Sequence, residues 1–373
     1  LRDIKTYTLL EAIPAFTYSQ KYLQEGGTLR REDPLRDFSL TGKYGLTSQL
    51  ILDGTWNPDF SQVEADAGQV DVNLRYDLYF PEKRPFFLEG SEMFLLAGSN
   101  ENDPLQSVVY TRRVIDPRAG FKLSGKLGRR DTLASVFALD ESPSFDLAAA
   151  SDWKYAGFGI LRYKRSLSED SYVGAFLTDR EYRDEFNRVA GVDGQVRLTK
   201  SSMLGFHGFG SLTKRPDATG AAAGSALGLD YLFDTRNLQV NLGFHDISRD
   251  FETDTGYLMR TGLASLRAFV QPRIYPKSKV FRKLSPYIFA TVLQDLPSDM
   301  VETEDGLGLS ILLPGSTTVT FRGAYETEVF LGRRFDASYW FAQLTSQVTK
   351  EFYILSAFTR GGGIRYTTDP YQG

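Results

Sequence analysis

The sequence contains no cysteine and has only two histidines, His207 and His245. Without cysteine the chain has no disulfide, no thiolate ligand for zinc and no thiol nucleophile. The motifs HExxH and Gly-x-Ser-x-Gly are also absent. The usual sequence signatures of zinc hydrolases and of serine hydrolases are therefore missing.

Long apolar runs and an excess of basic charge are missing as well. Hydrophobic residues make up 42% of the chain and the mean hydropathy is -0.28. No window approaches the roughly 20 apolar residues of a membrane helix. The net charge of -4 and the lack of a basic cluster argue against a nucleic-acid partner. The start at Leu1 shows no signal peptide, so we interpret the chain as a mature or trimmed piece.

Apolar and polar residues instead alternate along many runs, the pattern of a strand with two different faces. Residues 236–248 are the clearest example. There one face carries Leu238, Val240, Leu242 and Phe244, and the other carries Gln239, Asn241, Gly243 and His245. A second run sets Val192, Val196 and Leu198 against Asp193, Gln195 and Arg197. We expect the first set of each run to face lipid and the second set to face a lumen.

The number and length of these runs predict the fold class. Strand-like runs fall near 13–22, 38–44, 46–56, 121–127, 133–139, 153–165, 170–181, 189–200, 202–213, 221–233, 236–248, 257–274, 281–294, 304–313, 316–331, 336–349 and 352–366. Many exceed the roughly 5 to 6 residues of an ordinary strand. We predict an all-β transmembrane antiparallel up-and-down β-barrel of about 16 or more strands, with long loops at 178–187 and 246–255. The alternative is a large soluble β protein with an aromatic core.

The stretch from Asn57 to Phe94 breaks the alternation. Four carboxylates occur between Asp59 and Asp71, and the run Pro81 to Pro85 places three charges between two prolines. Such a segment is unsuited to a central strand. We therefore expect residues 59–94 to turn into the barrel as a plug. Its candidate residues, with partners on the next segment, are Glu82, Lys83, Arg84, Phe86, Phe87, Glu89, Arg112 and Arg113. Phe80, Phe86 and Phe87 would pack on the inner wall, and the charges would pair with Arg112 or Arg113.

The same stretch resembles a known family. NPDFSQVEAD followed by FPEKRPFFLEG, with VVYTRRVIDPRAGFKLSGKLGRRDTL after it, closely resembles outer-membrane β-barrels of Gram-negative bacteria that follow a family-9 carbohydrate-binding module. The resemblance implies an outer-membrane location and a barrel fold, and it does not imply a reaction. It also implies that the module would precede Leu1 and that further strands would follow residue 373. We accordingly treat the chain as one barrel domain that is not the whole wall.

Candidate catalytic and metal-binding residues are few. His207 and His245 could pair with Asp246, but we expect them to be separate lumen residues, about 10 Å apart across one strand. The carboxylate pairs Glu64 with Asp66 and Glu326 with Glu328 could stand at glycosidase distance, although such pairs are common by chance. We predict no catalytic residue, no cofactor and no metal.

Three functions remain open on the sequence. The first is a non-enzymatic passage for a solute or polymer, with a carbohydrate as one hypothesis. The second is a plugged barrel that anchors the module or partner proteins, and the third is a carbohydrate-active hydrolase. The expected partners are outer-membrane lipid, other envelope proteins and, through the module, carbohydrate.

Overall fold

The computed structural model describes residues 9–20, 22–25, 27–31, 33–58, 74–76, 78–97, 103–141, 155–216 and 218–372. The strands of the first part are β1 Leu10–Ser19, β2 Tyr22–Glu25, β3 Thr28–Arg31, β4 Leu35–Gly45, β5 Leu50–Trp56, β6 Leu105–Ser107, β7 Pro117–Lys126 and β8 Asp131–Asp140. Those of the middle part are β9 Ala156–Ser166, β10 Tyr172–Tyr182, β11 Glu185–Thr199, β12 Ser202–Lys214, β13 Ala222–Asp234, β14 Leu238–Ile247, β15 Tyr257–Leu258 and β16 Leu263–Pro272. The last are β17 Lys283–Asp295, β18 Met300–Leu313, β19 Thr317–Phe330, β20 Arg333–Asp336, β21 Tyr339–Gln347, β22 Tyr353–Gly361, β23 Ile364–Arg365 and β24 Tyr371–Gln372.

The described residues form an all-β, antiparallel, up-and-down wall of 18 strands. Each strand of the wall pairs with the next in the order β1, β4, β5, β7 to β14, β16 to β19, β21 and β22. The short strand β20 pairs with the end of β19. The fold class predicted from alternation is thus confirmed. Helix is limited, over the described ranges, to α1 Pro85–Leu88 and the 3-10 turns Ser91–Phe94 and Thr111–Arg113. No helix of these parts is long and apolar enough to cross a membrane.

The two faces of the wall differ as the alternation predicts. On β11, Val192 and Leu198 are about half exposed, whereas Asp193 is completely buried. On β14, Leu242 is exposed and His245 is buried. The side chains of Leu242 and Phe244 line an apolar groove of about 430 Å³ on the outer face together with Leu229 and Leu266. The outward and inward assignments for these positions are confirmed.

Two connections differ from the sequence prediction. The polar cluster 178–187 was expected to be a long loop, but it forms the end of a hairpin in which Tyr182 pairs with Glu185. Arg183 takes the left-handed turn conformation there, with φ of 57°. The run predicted at 257–274 is also shorter, because β16 begins at Leu263 and β15 pairs with β6 rather than with the wall. Charged and polar clusters therefore predicted where strands end. They did not predict whether the connection is a tight turn or a long loop.

Candidate functional site in the barrel lumen

Residues 78–97 and 103–116 lie against the inner face of the wall. The buried Lys122 of β7 donates from Nζ to the carbonyl oxygens of Phe86, at 2.9 Å, and of Glu89, at 2.7 Å. The amide of Ala97 donates to Asp193 Oδ2 on β11, at 3.0 Å. These two parts thus reach from β7 to β11 inside the wall, and we call residues 78–97 and 103–116 the inner segment. The rest of the predicted plug, residues 59–73 and Asp77, lies outside the described residues.

Arg84 is the main fixed point of the inner segment. Its guanidinium donates to Val114 O at 2.6 Å, to Thr111 O at 2.7 Å and to both carboxylate oxygens of Glu82 at 2.7 and 2.8 Å. Thr111 Oγ1 also donates to Glu82 Oε2, at 2.6 Å. Burial alone would raise the pKa of Glu82, but the hydrogen bonds from Arg84 and Thr111 hold that pKa below its ordinary value. The turn between the two prolines therefore contains a carboxylate and a guanidinium, Glu82 and Arg84, that neutralise each other.

The predicted aromatic contacts are confirmed for two of three rings. Phe86 and Phe87 are buried and meet edge to face, with ring centroids 5.0 Å apart. Arg84 lies over the ring of Phe87 at 4.3 Å, and Lys122 lies over that of Phe86 at 5.3 Å. Phe80 is only half-buried and lies under the guanidinium of Arg112 at 5.4 Å. The expectation that Phe80 packs on the inner wall is not met.

Among the described residues Glu82 makes no contact with Arg112 or Arg113, and a wider charge network of these arginines stays a prediction. Glu82 pairs with Arg84 inside its own turn, because the two side chains are close in sequence and need no second segment. Arg112 donates to Pro81 O at 3.0 Å, and Arg113 donates to Gly256 O at 3.3 Å. Both arginines belong to a 3-10 turn of the inner segment. Of the other candidates, Lys83 is exposed and Glu89 pairs with Lys43 of β4.

A second loop folds inward, which the sequence analysis missed. Between β14 and β16 the fully buried Phe251 joins the core, and the Thr255 carbonyl accepts the amide of Tyr110 at 2.6 Å. The short ladder of β6 with β15 continues this contact. The signal was Phe251 itself, an aromatic residue in the middle of a polar cluster. The rings of Tyr79, Tyr110 and Tyr257 meet at this junction with centroids 5.0 to 5.5 Å apart.

Charged groups also tie the remote side of the lumen together. Arg75 contacts Glu302 of β18 and Glu328 of β19, each at 2.9 Å, and Arg260 contacts Glu302 at 2.9 Å. Tyr366 Oη donates to Glu328 Oε1 at 2.8 Å. Glu328 is therefore held in a network of one ion pair and one tyrosine hydroxyl. The other predicted pair, Glu64 and Asp66, lies outside the described residues.

A row of polar residues crosses β11 to β14 on the inner face. Asp193 pairs in register with His207, His207 with Gly228, and Gly228 with His245. Asp193 is bound by Arg162, whose Nη2 lies 2.9 Å from Asp193 Oδ2, and both side chains are buried. The two imidazole rings lie with centroids 6.2 Å apart. The predicted separation of about 10 Å is wrong, because Gly228 has no side chain to keep the rings apart.

Asp103 of the inner segment meets this row. Its Oδ2 lies 3.6 Å from His245 Nε2 and 3.7 Å from His207 Nδ1, while His245 Nε2 lies 3.2 Å from Asp230 Oδ2. Asp103 is completely buried, and burial raises the pKa of this carboxyl to about 6. The carboxylates beside His245 are Asp103 and Asp230 rather than the alternative Asp246, which is the next residue of β14 and points to the opposite face. A cavity of about 590 Å³ adjoins the cluster and is lined by Gln195, Asn241, Arg267 and Leu96.

Comparison with known proteins gives a family match for part of the chain. A family model described as a domain of unknown function (DUF5916) matches residues 17–117. This range contains residues 57–94, on which the resemblance to outer-membrane barrels rests. A link to a carbohydrate-binding module is not part of that description. The search of curated proteins gave no significant match.

Several solved structures are similar to the chain at a low level. The crystal structure of OccK11 (OpdR) from Pseudomonas aeruginosa is 14% identical, with a TM-score of 0.42 over 95% of this chain and 92% of that one. OccK8 (OprE) from the same organism is 9% identical, with a TM-score of 0.40 over 94% and 87%. The ferric-catecholate import receptor Fiu of E. coli K12 is 8% identical, with a TM-score of 0.37 over 100% and 70%. At these values the fold assignment rests on the strand ladders of the chain itself.

Proposed function

We propose that the chain is an integral outer-membrane β-barrel that passes a small polar solute through a lumen narrowed by the inner segment. The observation that carries the proposal is the contrast between the two faces of one strand. Leu242 is exposed on the outside of β14, while His245 is buried against the inner segment. An apolar outer face and a charged, partly filled interior are the properties of a membrane barrel with a constricted lumen.

Conductance in a planar lipid bilayer of the complete barrel that contains this chain tests this function. Deletion of Pro81 to Gly90 removes Glu82, Arg84, Phe86 and Phe87, which hold the inner segment in place. We expect the deletion to raise single-channel conductance in a protein that still inserts. An inserted deletion variant with the conductance of the unmodified chain would contradict the proposed constriction.

The second candidate is a plugged barrel that anchors partner proteins. It is supported by the burial of Arg84, Lys122 and Arg162, which fix the inner segment and its surroundings through charged hydrogen bonds. Conductance separates the candidates. A barrel that inserts but conducts neither before nor after the deletion would favour the platform and exclude the passage.

We propose carbohydrate as the first solute class to test. The support is the resemblance of residues 57–94 and the tyrosine cluster of Tyr79, Tyr110 and Tyr257, which lines a cavity of about 650 Å³. Aromatic rings with a hydroxyl at one edge offer an apolar face and a polar handle to a sugar ring. Maltooligosaccharide added to the bilayer chamber should cause transient current blocks that Tyr79→Ala reduces. Absence of blocks at millimolar sugar would remove carbohydrate from the proposal while leaving the passage.

We further propose that more strands, or another chain, complete the wall. Across the described ranges no ladder joins β1 to β22, and both strands are exposed along most of their length. Unpaired strand edges are unfavourable in lipid because their amide and carbonyl groups lack partners. The proposed role is non-enzymatic, and sugar release from a polysaccharide by the purified chain would contradict it.

A further inference from the structure

Four polar side chains from three wall strands and the inner segment converge at one point of the lumen. His207 comes from β12, Asp230 from β13, His245 from β14 and Asp103 from the inner segment. Asp103, Asp230 and His245 each present one ligand atom, and these three atoms all lie within 4.8 Å of one another. Residues this far apart in sequence meet here because the ladders place β12 to β14 side by side and the inner segment crosses above them.

His245 and Asp230 are hydrogen-bonded to each other, but the other two members of the cluster, Asp103 and His207, have buried polar atoms that are not satisfied. Within the described part of the chain, Asp103 Oδ2 has no hydrogen-bond partner, and neither has His207 Nδ1 or Nε2. Asp103 is completely buried and His207 is 4% exposed. Buried polar atoms are almost always paired, since an unpaired one costs about 1 to 3 kcal/mol. Asp103 Oδ1 is by contrast used, since it accepts the amide of Leu105 at 2.9 Å, which fixes the direction of Oδ2.

The spacing suits a metal ion. Two ligands of a tetrahedral ion at about 2.0 to 2.1 Å from the metal stand roughly 3.3 Å apart. Asp230 Oδ2 and Asp103 Oδ2 lie 3.2 and 3.6 Å from His245 Nε2. These distances are close to the ligand separation and require small side-chain movements. The two carboxylates would also supply the negative charge that a divalent cation neutralises.

We propose that Asp103, Asp230 and His245 bind one divalent transition-metal ion, which ties the inner segment to the wall. An imidazole with two carboxylates suits zinc, or iron(II) and manganese in the same geometry, better than magnesium or calcium, which prefer oxygen ligands alone. Three protein ligands leave a coordination position for water or for His207, whose Nδ1 is 3.7 Å from Asp103 Oδ2. The site goes beyond the proposed passage and stands whether or not the barrel conducts.

The test measures binding of zinc and cobalt(II) to the full chain, prepared without a histidine tag and stripped with a chelator. We expect one equivalent of zinc by calorimetry at pH 7.5, and absorption bands of bound cobalt(II) that zinc displaces. Asp103→Asn and His245→Gln should each weaken zinc binding at least about tenfold. Asp246→Asn is the matched control, because its carboxylate is next to His245 in sequence but lies on the other face of β14, and it should bind as the unmodified chain does.

Hydrogen exchange in the inner segment tests whether the bound metal ion ties this segment to the wall or binds elsewhere on the surface. Zinc should slow hydrogen exchange of the amides at 105–107, which follow Asp103 and pair with β15. Circular dichroism of each variant establishes that the barrel has folded. The proposal is overturned if the folded, unmodified chain binds neither metal at 1 mM. It is equally overturned if Asp103→Asn and His245→Gln, once folded, bind zinc as tightly as the control.

Discussion

The rings of His207 and His245 lie on strands that are not neighbours, yet their centroids are only 6.2 Å apart. Gly228 pairs with both residues and sits between them on β13. A Cβ atom at Gly228 would lie 2.2 Å from Cε1 of His207, so any larger residue must displace that ring. The glycine therefore creates the polar cluster, and the side chains fill the space that it leaves.

Gly228→Ala should destabilise the barrel by about 1 to 3 kcal/mol, the usual cost of overpacking a filled interior. The measurement is the denaturant midpoint for unfolding from lipid vesicles. Gly157→Ala on β9 is the control, because a Cβ there meets no atom within 4 Å. Equal midpoints for the two variants would show that the His207 ring has room to move.

Leu242→Arg should cost about 2 to 4 kcal/mol of stability, because the charge would face the lipid side near the middle of β14. The neighbouring Asn241→Arg places the same side chain on the lumen side and should be nearly silent. Denaturant titrations of both variants in vesicles provide the comparison. The assignment of faces fails if Asn241→Arg is the more costly change.

Arg84→Gln should loosen the inner segment, because Glu82 would lose its buried partner and two carbonyl oxygens would lose their donor. Breaking one side of a buried ion pair costs about 3 to 5 kcal/mol. We expect a larger and noisier single-channel conductance than in the unmodified chain. Lys83→Gln alters the adjacent, exposed cation and should leave the current unchanged. Identical traces from the two variants would refute the role of Arg84.

Acid should release the same contact. The pKa of Glu82 lies below its ordinary value of 4.5 in the folded chain, so its ionised form stabilises the inner segment above about pH 4.5. That contribution is lost as the pH falls through the lowered pKa of the folded state. We expect conductance to rise in this acid range, and Glu82→Gln to abolish the rise. Glu92→Gln, at an exposed position of the same segment, should keep it. A pH response that survives in Glu82→Gln would place the titrating group elsewhere.

The turns show the limit of reading charge patterns. The sequence cluster at 178–187 and the cluster at 246–255 have similar polarity, yet one is a tight hairpin and the other folds into the lumen around Phe251. Local polarity indicates where a wall strand ends. The conformation of the connection after it depends on which distant residues pack against that connection. Arg112 and Arg113 illustrate the same limit, because each donates to a main-chain carbonyl, which carries no mark in the sequence.

Patterns along the sequence were enough to predict the wall and a segment that leaves it. Side chains alternate between the two faces of a strand. The sequence of a single strand such as β14 is therefore enough to predict which residues face outward and which face inward. Prolines and charges between Pro81 and Pro85 predicted that this part of the chain is not a wall strand, and residues 78–97 lie inside the wall. The contacts between the inner segment and the wall strands could be seen only in the folded chain. His207, Asp230, His245 and Asp103 meet through the registers of three strands, the absence of a side chain at Gly228 and the path of the inner segment. These are relations between distant residues, and no local pattern encodes them.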